Sequence, residues 1–185
     1  MRRSPGALAA VIVGLLGAGV WLRADVPAAT EYQVKAAFLY NFARYVEWPA
    51  EAFPPTGEPF VVTVLGEDPF GPALDSVLKG RTIRDRSLSV RRAARLEDVG
   101  RSHILFIAGS EGEALARILR RLDAAPTLTI GESPHFAEQG GMVRFRKDRD
   151  RVGFEINLTS TEKARLRVSS QLLKLARIVG PGGKS

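Results

Sequence analysis

Few residues of this 185-residue chain could do chemistry, and their spacing argues against most of it. The only imidazoles are His103 and His135. A histidine metal site usually sets two rings on one helix face, as HxxxH or HExxH does. These two stand thirty-two positions apart, so no metal is expected. His103 opens an apolar strand and reads as a strand-end residue rather than a base. Ser133-Pro134-His135 puts a hydroxyl beside an imidazole, but no nucleophile elbow or orienting carboxylate accompanies it, and a Ser-Pro step is turn chemistry. The absence of cysteine excludes thiol catalysis, thiolate ligation and disulfide switching. Gly109-Ser110-Glu111-Gly112 follows a strand and opens a helix, as phosphate loops do. It lacks both the third glycine of a dinucleotide fingerprint and the Lys-Ser/Thr of a P-loop. We expect a protein that is not an enzyme and needs no cofactor.

What remains is a binding chemistry. In open α/β sheets ligands sit in the crevice outside the carboxyl ends of the strands. Three loops should gather there: Gly66 to Gly71, Gly109 to Gly112 and Gly131 to His135. They bring Asp68, Ser110, Glu132 and His135 into one neighbourhood, a candidate site for a small polar ligand. The same residue types are also the ordinary caps and turn formers of such loops.

The elements that would position these loops can be read from periodicity. Phe60–Leu65, Ser87–Arg91, Ile104–Ala108 and Thr127–Ile130 read as strands. Asp68 with Pro69 is read as the start of a helix carrying Leu74, Val77 and Leu78 and ending at Gly80. A second helix carries Leu115, Ile118, Leu119 and Leu122. Met142–Arg146 and Val152–Leu158 alternate around a polar turn, a β-hairpin with its arginines on the wet face. A last helix, capped by Thr159 or Ser160, runs through Leu166, Ser169, Leu172, Leu173, Ala176 and Val179 to Gly180, beyond which the tail should be mobile. Strand–helix alternation predicts a three-layer α/β sandwich: a mainly parallel sheet, an antiparallel C-terminal hairpin and helices on both faces.

The N-terminus reads as an export signal. Met1-Arg2-Arg3 is a positive start, Ala7–Leu22 is an uncharged apolar run, and Val26-Pro27-Ala28 offers a cleavage point after Ala28, with Ala24 as the alternative. Sixteen apolar residues are shorter than a spanning helix, although Trp21 and Leu22 could stretch the run into an uncleaved inner-membrane anchor. Residues 1–28 hold three arginines and one aspartate, so the chain's net charge of +7 falls to +5 without them. The excess is scattered and no recognition motif accompanies it. Nucleic acid is not an expected partner; the charge is that of an ordinary solvated surface, and is also compatible with an acidic partner domain or an anionic membrane surface. Residues 29–185 suffice for one hydrophobic core and hence one domain.

Val34-Lys-Ala-Ala-Phe-Leu-Tyr-Asn-Phe-Ala-Arg-Tyr-Val-Glu-Trp-Pro49 is the most distinctive stretch. Val34, Phe38, Phe42 and Tyr45 lie on one helix face and are expected to enter the core, with the helix ending before Pro49. Tyr40 and Arg44 then lie off that face. Further on come Leu65-Gly-Glu-Asp-Pro-Phe-Gly71, Leu128-Thr-Ile-Gly131 with Phe136-Ala137 and Gly140-Gly141-Met142, Phe154-Glu-Ile-Asn157, and Ser169-Ser-Gln-Leu-Leu-Lys-Leu-Ala176. In this order and spacing the set, from Val34 to Val179, resembles the YfiR-like family of bacterial periplasmic proteins. The resemblance implies an α/β fold, self-association as a homodimer, and a periplasmic repressor. Such a protein would bind the periplasmic sensor domain of an inner-membrane diguanylate cyclase and lower cyclic-di-GMP output and biofilm formation. Tyr40 and Arg44 are the candidate partner-binding residues. Family members that have been studied carry disulfides. This chain has no cysteine, so redox control of that kind does not transfer.

Overall fold

The computed structural model describes residues 29–54, 57–149 and 151–180. The expected export signal and the tail beyond Gly180 lie outside the described residues.

The first helix, α1 (Glu31–Tyr45), begins in a reciprocal cap. The Thr30 hydroxyl accepts from the Gln33 N–H, and the Gln33 side chain accepts from the Thr30 N–H at 2.8 Å. The helix stops at Tyr45, earlier than Pro49 requires, because Val46 turns extended and pairs as β1 (Val46–Glu47) with β9 (Arg167–Val168). Between them run β2 (Phe60–Leu65), α2 (Pro72–Leu78), β3 (Thr82–Ile83), β4 (Arg86–Ala93), β5 (Ile104–Ile107), α3 (Leu115–Arg121), β6 (Leu128–Gly131), β7 (Val143–Asp148), β8 (Arg151–Asn157) and α4 (Leu158–Lys163). After β9 come α5 (Ser170–Leu173) and β10 (Arg177–Val179).

The main sheet has the order β10-β8-β7-β6-β5-β2-β4-β3. Strands β4, β2, β5, β6 and β7 are mutually parallel, and β7 and β8 form the antiparallel hairpin. Helices cover both faces. Alternate residues of the strands (Phe60, Val62, Val64, Ile104, Phe106) pack under α1 and α2. Leu65, Leu105 and Ile107 point the other way and pack with Leu115, Ile118 and Leu119 of α3. That alternation, period two on a sheet buried on both sides, is what makes the central strands almost wholly apolar. The three-layer sandwich expected from the sequence is the observed architecture.

Five expectations are corrected. The core face of α1 is Ala36, Leu39, Phe42 and Ala43 together with Lys35, while Val34, Phe38 and Tyr45 are only half-buried. Two alanines let the helix approach the sheet closely, and the larger rings flank that line; Phe38 packs on Phe154 from the side, at 5.3 Å between ring centroids. The helix after β2 starts at Pro72, behind Gly71 at φ +53°, not at Asp68. Asp68 instead accepts the Phe70 N–H at 2.8 Å and fixes the preceding turn. The single C-terminal helix is replaced by α4, β9, α5 and β10. Arg165 at φ +57° cannot continue a helix. Val168, Ile178 and Val179 lie in strands where β-branched residues are at home. The α4 cap is Asn157, whose side chain accepts the Ser160 N–H, rather than Thr159 or Ser160. Finally, the hairpin's outer face is not simply wet. Glu155 is 7 % exposed, held by Arg144 and Arg177, and Arg146 lies over Gly153.

Candidate functional site

At the carboxyl ends of β2, β5 and β6 the three loops do share one edge of the sheet, as parallel register demands. The Ser110 hydroxyl accepts the Glu67 N–H at 3.0 Å, tying two of the loops together. Gly66 must be glycine for this: its φ is +89°, and a Cβ there would collide with Ser110 Oγ. Asp68 is taken by Arg92, with Nε 2.7 Å from Oδ2. The same guanidinium reaches Asp75 at 2.5 Å and the Gly71 carbonyl at 3.0 Å. Hydrogen bonds to Asp75 and Asp68 push Arg92 above its ordinary value, and the Arg92 bond lowers Asp75.

Glu132 belongs to a second set. Its Oε1 lies 2.9 Å from Lys35 Nζ, and its Oε2 accepts from the Tyr32 hydroxyl at 3.3 Å. Lys35 also holds Glu31, one turn back on α1, at 2.5 Å, and its ammonium sits 4.4 Å from the Tyr32 ring centroid. Burial pushes the Lys35 ammonium down, but its hydrogen bonds to the Glu31 and Glu132 carboxylates outweigh it and leave the group raised. Burial, then the Glu132 charge, raises Tyr32. The Tyr32 ring meets Phe70 edge-on at 5.4 Å, so the Asp68 loop and Glu132 are neighbours through two rings. His135 is not drawn into this network. It stands exposed at φ +60° and pairs with Glu138 of its own turn.

Asp68, Ser110 and Glu132 thus already have protein partners, and the loops are locked by the chain's own charges. The sequence reading missed Lys35 and Tyr32. A lysine among the apolar residues of α1, four positions after a glutamate, was the visible signal; its second partner lies 97 residues away in sequence.

His103 is a core ring. Its Nδ1 accepts the Val61 N–H at 3.0 Å, and it stacks on Phe60 at 4.4 Å and Phe53 at 5.0 Å. The Trp48 indole N–H donates to the His103 carbonyl at 3.3 Å, which anchors the end of the distinctive stretch in the core. Burial pulls His103 down to about 4, so it is neutral at physiological pH. Among the described residues no group of three or more His, Asp or Glu is placed to hold a metal ion, and no helix is long and apolar enough to cross a membrane.

The other candidate surface lies at the end of α1. Tyr40 is half-buried, not free, and is flanked by two guanidinium groups: Arg81, 4.2 Å from its ring centroid, and Arg44, 5.7 Å away. Arg44 is exposed in the last helical turn, where a cation also suits the helix dipole. Beside them the β3–β4 hairpin places Arg84 and Arg86 at 5.1 and 5.4 Å from the Phe53 ring. The sequence reading had Tyr40 and Arg44 but not Arg81, Arg84, Arg86 or Phe53, because their meeting depends on long-range packing.

Sheet order and two covered faces define a domain of the three-layer α/β class. Comparison with known proteins gives the family. The family model described as YfiR/HmsC-like matches residues 32–177, and the chain belongs to that family. The family is known for periplasmic regulators of diguanylate cyclase signalling. Among solved structures, a conserved domain protein from Vibrio cholerae O1 biovar El Tor strain N16961 is similar in fold, with a TM-score of 0.51 and 12% identity. The match covers 82% of this chain and 60% of the Vibrio chain, so this protein spans about three fifths of that relative's length.

Proposed function

We propose that this protein is an exported periplasmic repressor that binds the sensor domain of an inner-membrane diguanylate cyclase and lowers cyclic-di-GMP output. The observation that carries the reading is the family match over residues 32–177. The end of α1 supports it, because exposed Arg44 lies 5.7 Å from the ring of half-buried Tyr40. Hot-spot residues of protein interfaces are enriched in Tyr and Arg. Homodimerisation, as the family resemblance implies, is part of the proposal and is read by sedimentation equilibrium on residues 29–185.

The test is cellular cyclic-di-GMP in a strain lacking the gene, with and without complementation. A rise on deletion that complementation reverses is the expected result; no change would refute the repressor reading. A small ligand at the strand ends is the second reading, favoured by the gathering of Asp68, Ser110 and Glu132 at one sheet edge. Such a ligand would compete with Arg92 for Asp68 or with Lys35 for Glu132. A compound at 100 times its dissociation constant should add about 2.7 kcal/mol of stability. A metabolite panel that leaves thermal melting unmoved would count against this reading.

A further inference from the structure

The arginine–ring contacts among the described residues fall in two clusters, one at the end of α1 and one at the β3–β4 hairpin. Arg44 and Arg81 flank Tyr40, Arg44 also reaches Tyr45 at 5.4 Å, and Arg84 and Arg86 flank Phe53. Two guanidiniums around one ring are within about 10 Å of each other in each pair. Arg81 and Arg84 are joined by the short strand β3, about 10 Å of extended chain. Two arginine–ring clusters, linked through β3, thus set four arginines against three rings; together they form the arginine band.

Arg44, Arg81 and Arg84 enter none of the ion pairs among the described residues, and neither do Arg117, Arg120 and Arg121 of α3; of these six, the first three lie against aromatic rings. Arg86 is spent on backbone carbonyls, those of Glu58 and Pro54, both at 2.8 Å. Arg84 is also held in an uncommon conformation. The two-residue turn Arg84-Asp85 joins Ile83 to Arg86 with φ of +49° and +61°. Turns of this kind are normally made by Asn-Gly, because a side chain in the left-handed region costs about 1–2 kcal/mol. Arg84 is kept there against that cost, 5.1 Å from the Phe53 ring centroid.

We infer that this band is a carboxylate-recognising surface that docks an acidic segment of a protein partner. The inference rests on the reading of this chain as a protein-binding regulator, and it gives that partner its chemistry. Stacked arginines are pre-organised, and a planar guanidinium fork matches carboxylate geometry bidentately. An anionic bilayer is the poorer fit. Tyr40 and Phe53 are only half-exposed, and the exposed large apolar side chains, Leu175 and Ile178, belong to the C-terminal segment.

The test uses residues 29–185 and three variants. Arg44→Glu/Arg81→Glu/Arg84→Glu reverses the band. Arg117→Glu/Arg120→Glu/Arg121→Glu makes the same charge change on the exposed face of α3. Arg44→Lys/Arg81→Lys/Arg84→Lys keeps the charge and discards the planar fork. The probe is a labelled 20-residue poly-glutamate read by fluorescence anisotropy at 0.15 M salt. Binding should weaken about tenfold or more in the band reversal, about twofold or less in the α3 reversal, and about threefold in the lysine variant. Equal losses in both reversals, or no loss with lysine, would overturn the assignment. So would binding of phosphatidylglycerol vesicles that needs the band when poly-glutamate binding does not. In cells, the band-reversed protein should fail to lower cyclic-di-GMP in the deletion strain. If it succeeds, the band is wrong and the repressor reading stands; if the unaltered protein also has no effect, the repressor reading falls and the peptide measurement alone judges the band.

Discussion

His103 should make the stability of this protein fall as pH drops through the mildly acidic range, long before its carboxylates are protonated. The ring is 2 % exposed, stacked between Phe53 and Phe60, and uses Nδ1 as an acceptor for the Val61 N–H. Burial is the main cause of its depressed value, about 4 against an ordinary 6.5. The Ala52 carbonyl opposes the shift, the charges of Arg86 and Arg101 add to it, and that of Glu58 opposes it. The unfolded chain therefore binds a proton that the folded chain refuses, and stability is fully present above 6.5 and is lost as pH falls toward 4. Each pH unit in that window is worth about 1.4 kcal/mol, so about 1.3 kcal/mol should vanish between pH 7.5 and 5.5 and about 3 kcal/mol by pH 4. Glu31 and Asp75 also lose stabilisation on acidification, since their arginine or lysine partners hold them low. Their ordinary values of 4.5 and 3.8 confine most of that to pH below about 5. The assay is urea unfolding at half-unit steps from pH 5.5 to 7.5 in a His135→Gln background, so that one imidazole titrates. His103→Asn, which retains an acceptor for Val61, should be less stable at pH 7.5 but nearly flat with pH. An equal slope in the two proteins, or an NMR midpoint for His103 near 6.5, would refute the argument.

Three further outcomes follow from contacts described above. Lys35→Met should cost about 2–4 kcal/mol in urea unfolding, because Glu31 and Glu132 lose their shared counter-ion; Lys35 is raised above 10.5, so its contribution is present below that pH and disappears at higher pH, and only the unaltered protein should show this alkaline loss. Gly141→Ala should destabilise by about 1–3 kcal/mol, since the new methyl would meet the ring of fully buried Phe136, and Phe136→Leu should recover part of the loss in the double variant. Asp85→Gly should raise Tm by about 2–4 °C by relieving one left-handed side chain while leaving poly-glutamate binding unchanged, whereas Arg84→Gly should raise Tm similarly and weaken that binding.

The layout of the fold was legible because it depends on local signals. Wholly apolar Ile104–Ile107 and Phe60–Leu65, interrupted only by Thr63, announce strands buried on two faces, and the alternation of Val143 and Phe145 announces a hairpin. The last thirty residues were not legible. Leu166, Leu172, Leu173 and Ala176 satisfy helical spacing, and nothing local says that Arg167-Val168 will find Val46-Glu47 across more than a hundred residues. Lys35 was overlooked for the same reason: a lysine is expected outside until both of its carboxylates are in place, and one comes from the end of β6. The partner surface shows the limit most clearly. Tyr40 and Arg44 could be singled out from α1 alone, but on the wrong premise that Tyr40 points freely outward. Its half-burial under Arg81 is what turns two separate residues into a band with Phe53, Arg84 and Arg86. A family resemblance fixes neither that geometry nor its charge. If the band docks the partner, a homologue that lacks these arginines must recognise a differently charged sensor domain, and exchanging Arg44, Arg81 and Arg84 between two such proteins should exchange their preference for acidic peptide. Unchanged preferences after that exchange would place the recognition elsewhere on the molecule.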